Sequence, residues 1–142
     1  MSPATELAYR ISAAARRPAS WVQLCKFGLV GGSGYLINLA VFALLAGSFG
    51  VHHAVAAVGA FCVAVTNNFL WNRYWTFGPG DGPAHFQAAR FFTVSLASLG
   101  LNIAVLELLI TNHVTGDLAA QAIAVAVAMP FNFLGNKLWT FA

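Results

Sequence analysis

Four apolar stretches dominate the chain, at about 27–47, 54–72, 91–111 and 118–136, and polar residues gather in the connections between them. Each stretch is near the ~20 residues a helix needs to cross roughly 30 Å of hydrocarbon. The pattern predicts an all-α membrane protein with four transmembrane helices. The connection around residues 48–53 is only long enough for a tight helical hairpin. The middle connection, Gly78-Pro79-Gly80-Asp81-Gly82-Pro83, breaks any helix and separates the first pair of spans from the second.

The two pairs are copies. At an offset of 64 positions, without a gap, Lys26 falls on Arg90, Phe27 on Phe91, Val30 on Val94, Asn38 on Asn102, Leu44 on Leu108 and Leu45 on Leu109. At the same offset Asn68-Phe69-Leu70-Trp71-Asn72-Arg73-Tyr74-Trp75-Thr76-Phe77 returns as Asn132-Phe133-Leu134-Gly135-Asn136-Lys137-Leu138-Trp139-Thr140-Phe141. The predicted organisation is an N-terminal segment, residues 1–20, and a four-helix domain, residues 21–142, built from tandem repeats at about 23–77 and 87–141. With two spans per copy, both copies enter the bilayer from one side, so the hairpins are parallel-oriented repeats about an axis along the membrane normal. Their closing boxes are then expected at one surface, around one vestibule.

Composition excludes a soluble domain: 59% of residues are apolar and 8% charged, against a usual charged fraction of about 25%. Mean hydropathy is +0.73. Four spans occupy most of the 142 residues, so function is expected within the bilayer or at its surface. All seven cations fall on one side of the span plan: Arg10, Arg16, Arg17 and Lys26, then Arg73 and Arg90, then Lys137. Connections near His52 and Asp117 hold none, which predicts a multi-pass inner (plasma) membrane protein with both termini cytoplasmic. Topology accounts for the net charge of +3, and no nucleic-acid partner is expected. Cys25 and Cys62 are not expected to pair, and no metal-ligand spacing or cofactor motif is present.

Smaller features follow in chain order. Leu7, Ile11 and Ala14 recur at helical spacing beside Arg10, Arg16 and Arg17, predicting a short interfacial helix on the inner leaflet; a frayed basic tail is the alternative. Ser20 is placed to cap the first span and Trp21 to sit in the headgroup layer. Gly28 and Gly32, one turn apart, suit close helix packing rather than a phosphate loop. His52 and His53 are expected at the outer interface, and Pro130 is expected to kink or open the fourth span beside Asn132.

Six asparagines at matched positions carry the candidate chemistry: Asn38 with Asn102, Asn68 with Asn132 and Asn72 with Asn136. Each amide both donates and accepts hydrogen bonds. They serve either as glue between helices or as a polar groove for sugar hydroxyls. Lys26, Arg90, Arg73 and Lys137 form two repeat-related cation pairs beside the interfacial aromatics Trp75 and Trp139, where they can hold a lipid phosphate. Glu107 has Ala43 as its counterpart and is the candidate coupling acid, with a structural acid near the outer surface as the alternative. No paired carboxylates or activated nucleophile points to an enzyme, so no catalytic residue is assigned.

With Lys26-Phe27-Gly28-Leu29-Val30-Gly31-Gly32-Ser33-Gly34 opening the first span and two Asn-Phe-x-x-Asn-[Arg/Lys]-x-Trp-Thr-Phe boxes, residues 23–141 resemble the GtrA-like family of small four-helix membrane proteins. The resemblance implies a role in cell-surface polysaccharide synthesis. It points to a flippase, or translocation factor, for polyprenyl-phosphate-linked sugars, or alternatively to an anchor that recruits a membrane glycosyltransferase. A small proton-coupled exporter working through Glu107 is a third and weaker reading. At 15.0 kDa the chain is small for a complete transport path, which predicts a homodimer or a complex.

Overall fold

The computed structural model describes residues 2–142, with the side chains of His53 and Leu118 outside the description. Regular structure among the described residues is entirely helical. One unit, up to Gly78, holds α1 (Pro3–Ala15), α2 (Pro18–Phe42) and α3 (His53–Trp71); the other, from Pro79, holds α4 (Ala84–Thr111) and α5 (Asp117–Gly135). Within the first unit α2 packs on α3, and within the second α4 packs on α5. Three of these helices run on into a π-helical turn: α2 through Ala43–Ser48, α3 through Asn72–Thr76 and α5 through Asn136–Thr140.

Four stretches are long and apolar enough to cross a membrane: Pro18–Ser48, Ala54–Thr76, Ala84–Thr111 and Ala119–Thr140. The four predicted spans are therefore present but longer than their apolar cores. The first and third start early because Pro18 takes the first helical position and Pro83, with extended backbone, precedes Ala84. The second and fourth end late because the boxes do not unwind. They widen instead into π turns, in which the Phe77 amide donates to the Asn72 carbonyl and the Phe141 amide to the Asn136 carbonyl, each at 2.9 Å. The helix α5 continues through Pro130, where a kink or polar opening is expected from the lost amide.

A ladder of residues spaced by four explains the turns. In α3 and its extension the ladder reads Ala56, Ala60, Ala64, Asn68, Asn72, Thr76; in α5 and its extension it reads Ala120, Ala124, Ala128, Asn132, Asn136, Thr140. An α-helix has 3.6 residues per turn, so a spacing of four drifts about 40° around the axis at each step. A π turn, closed by i to i+5 bonds, is wider and turns the drift back. Each box thereby reverses about one step of the drift, and its threonine stays buried. Ala56 and Ala60 are fully covered, as are Ala120 and Ala124, while Thr76 and Thr140 retain only 4% and 1% exposure.

Opposite the ladder, α2 buries Phe27, Val30 and Gly34, and α4 buries Phe91, Val94 and Ser98. Large apolar side chains elsewhere, such as Leu29, Leu36, Val58 and Leu108, are exposed. In water such a surface would be an aggregation hazard; against acyl chains it is the natural exterior. The close-approach glycine within the first hairpin is Gly34, not the predicted Gly32. A Cβ at Gly34 would collide with the Asn68 amide, whereas one at Gly32 would meet nothing within 4 Å. Phe27, Val30 and Gly34 share a helix face, and Gly32 points about 200° away from Gly34.

At the position 64 residues after Gly34 the second unit has Ser98, which is buried and carries a side chain where the first unit has none. Asn132 is bonded along its own helix instead, its side-chain oxygen accepting from Asn136 Nδ2 at 2.9 Å. Gly34→Ala should therefore displace Asn68 and destabilise the protein by about 1 kcal/mol, a modest figure for overpacking because a side-chain tip gives way. The cost should largely vanish in an Asn68→Ala background, and Gly31→Ala should cost nothing. Thermal unfolding in detergent across this double-mutant cycle tests the contact, and equal losses in both backgrounds would refute it.

Candidate functional site

Each ladder ends in a buried polar pair. Asn72 and Asn136 have exposures of 2% and 0%. Asn72 Oδ1, Thr76 Oγ1, Asn136 Oδ1 and Thr140 Oγ1 have no hydrogen-bond partner among the described residues. An unsatisfied buried polar atom typically costs about 1–3 kcal/mol. Two such atoms recur at equivalent places in both units, so their burial is a patterned feature of the boxes.

A cation from the first span of each unit lies beside its box. Lys26 Nζ sits 5.1 Å from the centroid of the Trp75 ring. Its counterpart Arg90 has its guanidinium carbon 5.6 Å from the Trp139 ring and donates from Nη1 to the Trp139 carbonyl at 3.2 Å. Beneath these contacts Phe27 packs on Phe77 with centroids 6.1 Å apart, and Phe91 on Phe141 at 6.3 Å. A cation over an aromatic face is held by the ring quadrupole, worth about 0.5–2 kcal/mol according to desolvation. The second cations differ in partner. Arg73 lies 5.5 Å from the ring of Tyr74, but Leu138 replaces that tyrosine in the second box, and Lys137 instead lies 5.8 Å from Phe133, one turn back.

Both box cations, Arg73 and Lys137, are half-buried, as is Lys26, while Arg90 is exposed. The boxes contain no Asp or Glu, so each presents net positive charge. Trp75 and Trp139 are partly exposed, and Trp71 packs edge-on against Trp75 with centroids 6.1 Å apart. The second box lacks this collar for a packing reason: a Cβ at Gly135, the counterpart of Trp71, would meet Val94 Cγ1 at 2.8 Å.

The remaining predicted residues lie at other levels. Asn38 and Asn102 are half-buried, twelve residues beyond Lys26 and Arg90 on the same helices. That spacing is ~18 Å along the axis, so they do not join the boxes. Glu107 is exposed on α4, five residues further out than Asn102. Asn68 and Asn132 are half-buried at the inner edge of the boxes, where Asn67 Nδ2 donates to Asn68 Oδ1 at 3.4 Å and Asn136 Nδ2 donates to the Asn132 carbonyl at 2.9 Å. His52 is exposed, and its Nδ1 accepts from the Ala54 amide at 3.3 Å, capping α3; the expectation for the His53 side chain falls outside the described residues. Cys25 and Cys62 are both exposed thiols.

Three polar residues were not singled out from the sequence. Thr76 and Thr140 close the ladders, and Gln87 is 3% exposed with Nε2 donating to the Pro79 carbonyl at 2.8 Å. The available signal was identity at the same offset: Gln87 has Gln23 as its counterpart, as Thr140 has Thr76.

Comparison with known proteins places these features in a family. Residues 26–141 match the family described as GtrA/DPMS, transmembrane domain. An uncharacterized membrane protein, YngA, of Bacillus subtilis is 30% identical over 118 residues, covering 83% of this chain and 78% of that protein. A dolichol-phosphate mannosyltransferase of Pyrococcus furiosus is 26% identical over 121 residues; the match covers 84% of this chain but only 34% of the mannosyltransferase. By the extent of its match, the chain belongs to the GtrA/DPMS transmembrane-domain family.

Proposed function

We propose that the protein is a non-enzymatic translocase, or translocation factor, for polyprenyl-phosphate-linked sugars in cell-surface polysaccharide or cell-wall glycan synthesis. It acts in the inner (plasma) membrane with both termini cytoplasmic, as two parallel-oriented hairpin repeats. The observation that carries this reading is the pairing, in both units, of a cation laid on a box tryptophan with buried asparagine and threonine oxygens that lack partners. The cations supply charge for a lipid phosphate at headgroup depth. The unpaired oxygens supply acceptors for donors that a saccharide brings.

In this mechanism Lys26 and Arg73 of one hairpin, and Arg90 and Lys137 of the other, hold phosphate. Asn68, Asn72, Asn132 and Asn136 receive the first sugar hydroxyls, and Asn38 and Asn102 offer the next polar station deeper in the bilayer. Glu107 is the candidate coupling acid beyond them. The dolichol-phosphate mannosyltransferase among the relatives supports a polyprenyl-phosphate substrate class, since its own name couples that lipid to a chain with a matching region.

The same relative supports a second reading. Most of the mannosyltransferase lies outside the match, so there the membrane domain is joined to a larger remainder. By that likeness this chain would be an anchor or scaffold recruiting a membrane glycosyltransferase as partner. Under that reading Asn38→Ala and Asn102→Ala leave pathway output unchanged, while changes at the box ends abolish co-purification with the partner. Under the translocase reading the asparagine variants lose output with the partner still bound.

Vesicles containing the purified protein alone should scramble a fluorescent polyprenyl-phosphate sugar faster than protein-free vesicles; no acceleration would remove the translocase reading. Lys26→Gln and Arg90→Gln should each weaken binding of a polyprenyl phosphate about ten-fold, the loss of roughly one charge-assisted contact. A titration in which only one of the pair matters would exclude equivalent sites in the two hairpins. Thr76→Val and Thr140→Val remove the orphan hydroxyls at nearly constant volume. They should leave thermal stability unchanged or raise it by about 1 kcal/mol while reducing sugar-lipid binding, because the hydroxyls serve the ligand rather than the fold.

A further inference from the structure

The helix α1 lies outside the family-matched residues and has no part in the proposed site. It is nevertheless well specified by its own sequence. Ser2 caps it, its Oγ accepting from the Thr5 amide at 3.2 Å; Pro3 opens the first turn, and Glu6 sits where the helix dipole favours an acid. At 13 residues it is of a length that is marginal as an isolated helix in water, so it needs a surface to lie on. The hairpin supplies little: Ala14 is the one buried residue of α1.

Leu7, Ile11 and Ala14 occupy one face at spacings of four and three, and Leu7 and Ile11 remain 50% and 37% exposed. Thr5, Tyr9 and Ser12 lie on the opposite face. Arg10, Arg16 and Arg17 against Glu6 give this segment a side-chain charge of +3 − 1 = +2. Its C-terminal end is tied to the first span, because Trp21 Nε1 donates to the Ala15 carbonyl at 2.9 Å and the Ser20 amide to the Arg17 carbonyl at 3.0 Å. The span itself, Pro18–Ser48, has 31 residues, ~46 Å of helix against roughly 30 Å of hydrocarbon. The surplus places the junction of α1 and α2 in the headgroup layer, at the end of the hairpin where Lys26 meets Trp75.

From this we infer that α1 is a docking helix for an anionic leaflet. Leu7 and Ile11 insert among the acyl chains, and Arg16 and Arg17 engage lipid phosphates beside the first box. The occupant of the open face is thus the bilayer surface to which the span already fixes it, and the charge of the segment selects anionic phospholipid. The inference does not depend on what the boxes bind.

The test uses the full chain in a Cys25→Ser, Cys62→Ser background, reconstituted in vesicles of phosphatidylcholine with or without phosphatidylglycerol. Single cysteines replacing Leu7, Tyr9 or Ile11 carry a nitroxide, and its collisions with oxygen and with a water-soluble nickel complex report depth. Labels at Leu7 and Ile11 should be reached by oxygen and shielded from nickel, and the label at Tyr9 the reverse, with the contrast strengthening when phosphatidylglycerol is present. Arg16→Gln and Arg17→Gln should each reduce the surface-bound over free ratio of α1 roughly five-fold, about 1 kcal/mol per arginine near an anionic surface. Nickel access to all three labels, or the same contrast in both lipid compositions, would overturn the inference. Shielding of Leu7 from both reagents would also overturn it, by assigning the face to a protein contact. Within residues 26–141 the only change is Cys62→Ser, an exposed position common to every sample, so the comparisons among labels and arginine variants share one span domain.

Discussion

Within a bilayer, apolar side chains gain nothing by turning away from their surroundings, and a helix pair is held by how closely two backbones approach. The alanine ladders meet that constraint. Ala56, Ala60 and Ala64 in one hairpin, and Ala120, Ala124 and Ala128 in the other, are buried while bulkier residues face outward. A spacing of four is slightly too long for an α-helix, and the accumulated drift would carry the end of each ladder off the seam. The π turns at the two boxes reverse the last step of that drift. The site is therefore a geometric consequence of the seam: the residues that close the packing are Asn72, Thr76, Asn136 and Thr140, polar groups held inside by a widened turn.

Such a turn explains how polar atoms can be buried without collapse of the hairpin. Around each box an aromatic layer, Phe27 with Phe77 or Phe91 with Phe141, carries the packing load. A cation on tryptophan then ties the two helix ends together above it. Carbon contacts thus hold the helix ends, while buried oxygen atoms on the same helices have no partner among the described residues. Cations near a helix C-terminus are also favoured by the helix dipole, so the box cations serve the fold even without ligand.

Much of this was legible in the residues. The four spans follow from apolar run length, and the hairpin division follows from the glycine and proline connection. The lysine and arginine that reach the tryptophans were already marked by their shared offset. Less visible was the end of each box, because helix-stop reasoning looks for a glycine or proline, whereas these helices continue by changing their hydrogen-bond pitch. The ladder Ala-Ala-Ala-Asn-Asn-Thr is plain at a spacing of four, yet a search tuned to the α-helical period passes over it. Gly32 was preferred to Gly34 for a related reason: a spacing motif says that two glycines share a face, not which face the partner helix covers.

The asymmetries between the hairpins follow from single side-chain volumes. Glycine at position 34 admits the Asn68 amide between α2 and α3; the second hairpin has serine at position 98, and there Asn132 engages Asn136 on its own helix. Glycine at position 135 lets α5 lie against Val94, at the expense of the aromatic ring that Trp71 contributes in the first box. The two hairpins therefore differ in what surrounds the box while sharing the buried asparagine and threonine and the cation on tryptophan. A valine in place of either threonine would fill the same volume without the desolvation cost of an unpaired hydroxyl. Both hairpins nevertheless carry the threonine, buried beside a buried asparagine and near a cation laid on tryptophan, so the polar end of each ladder is set by more than the filling of volume.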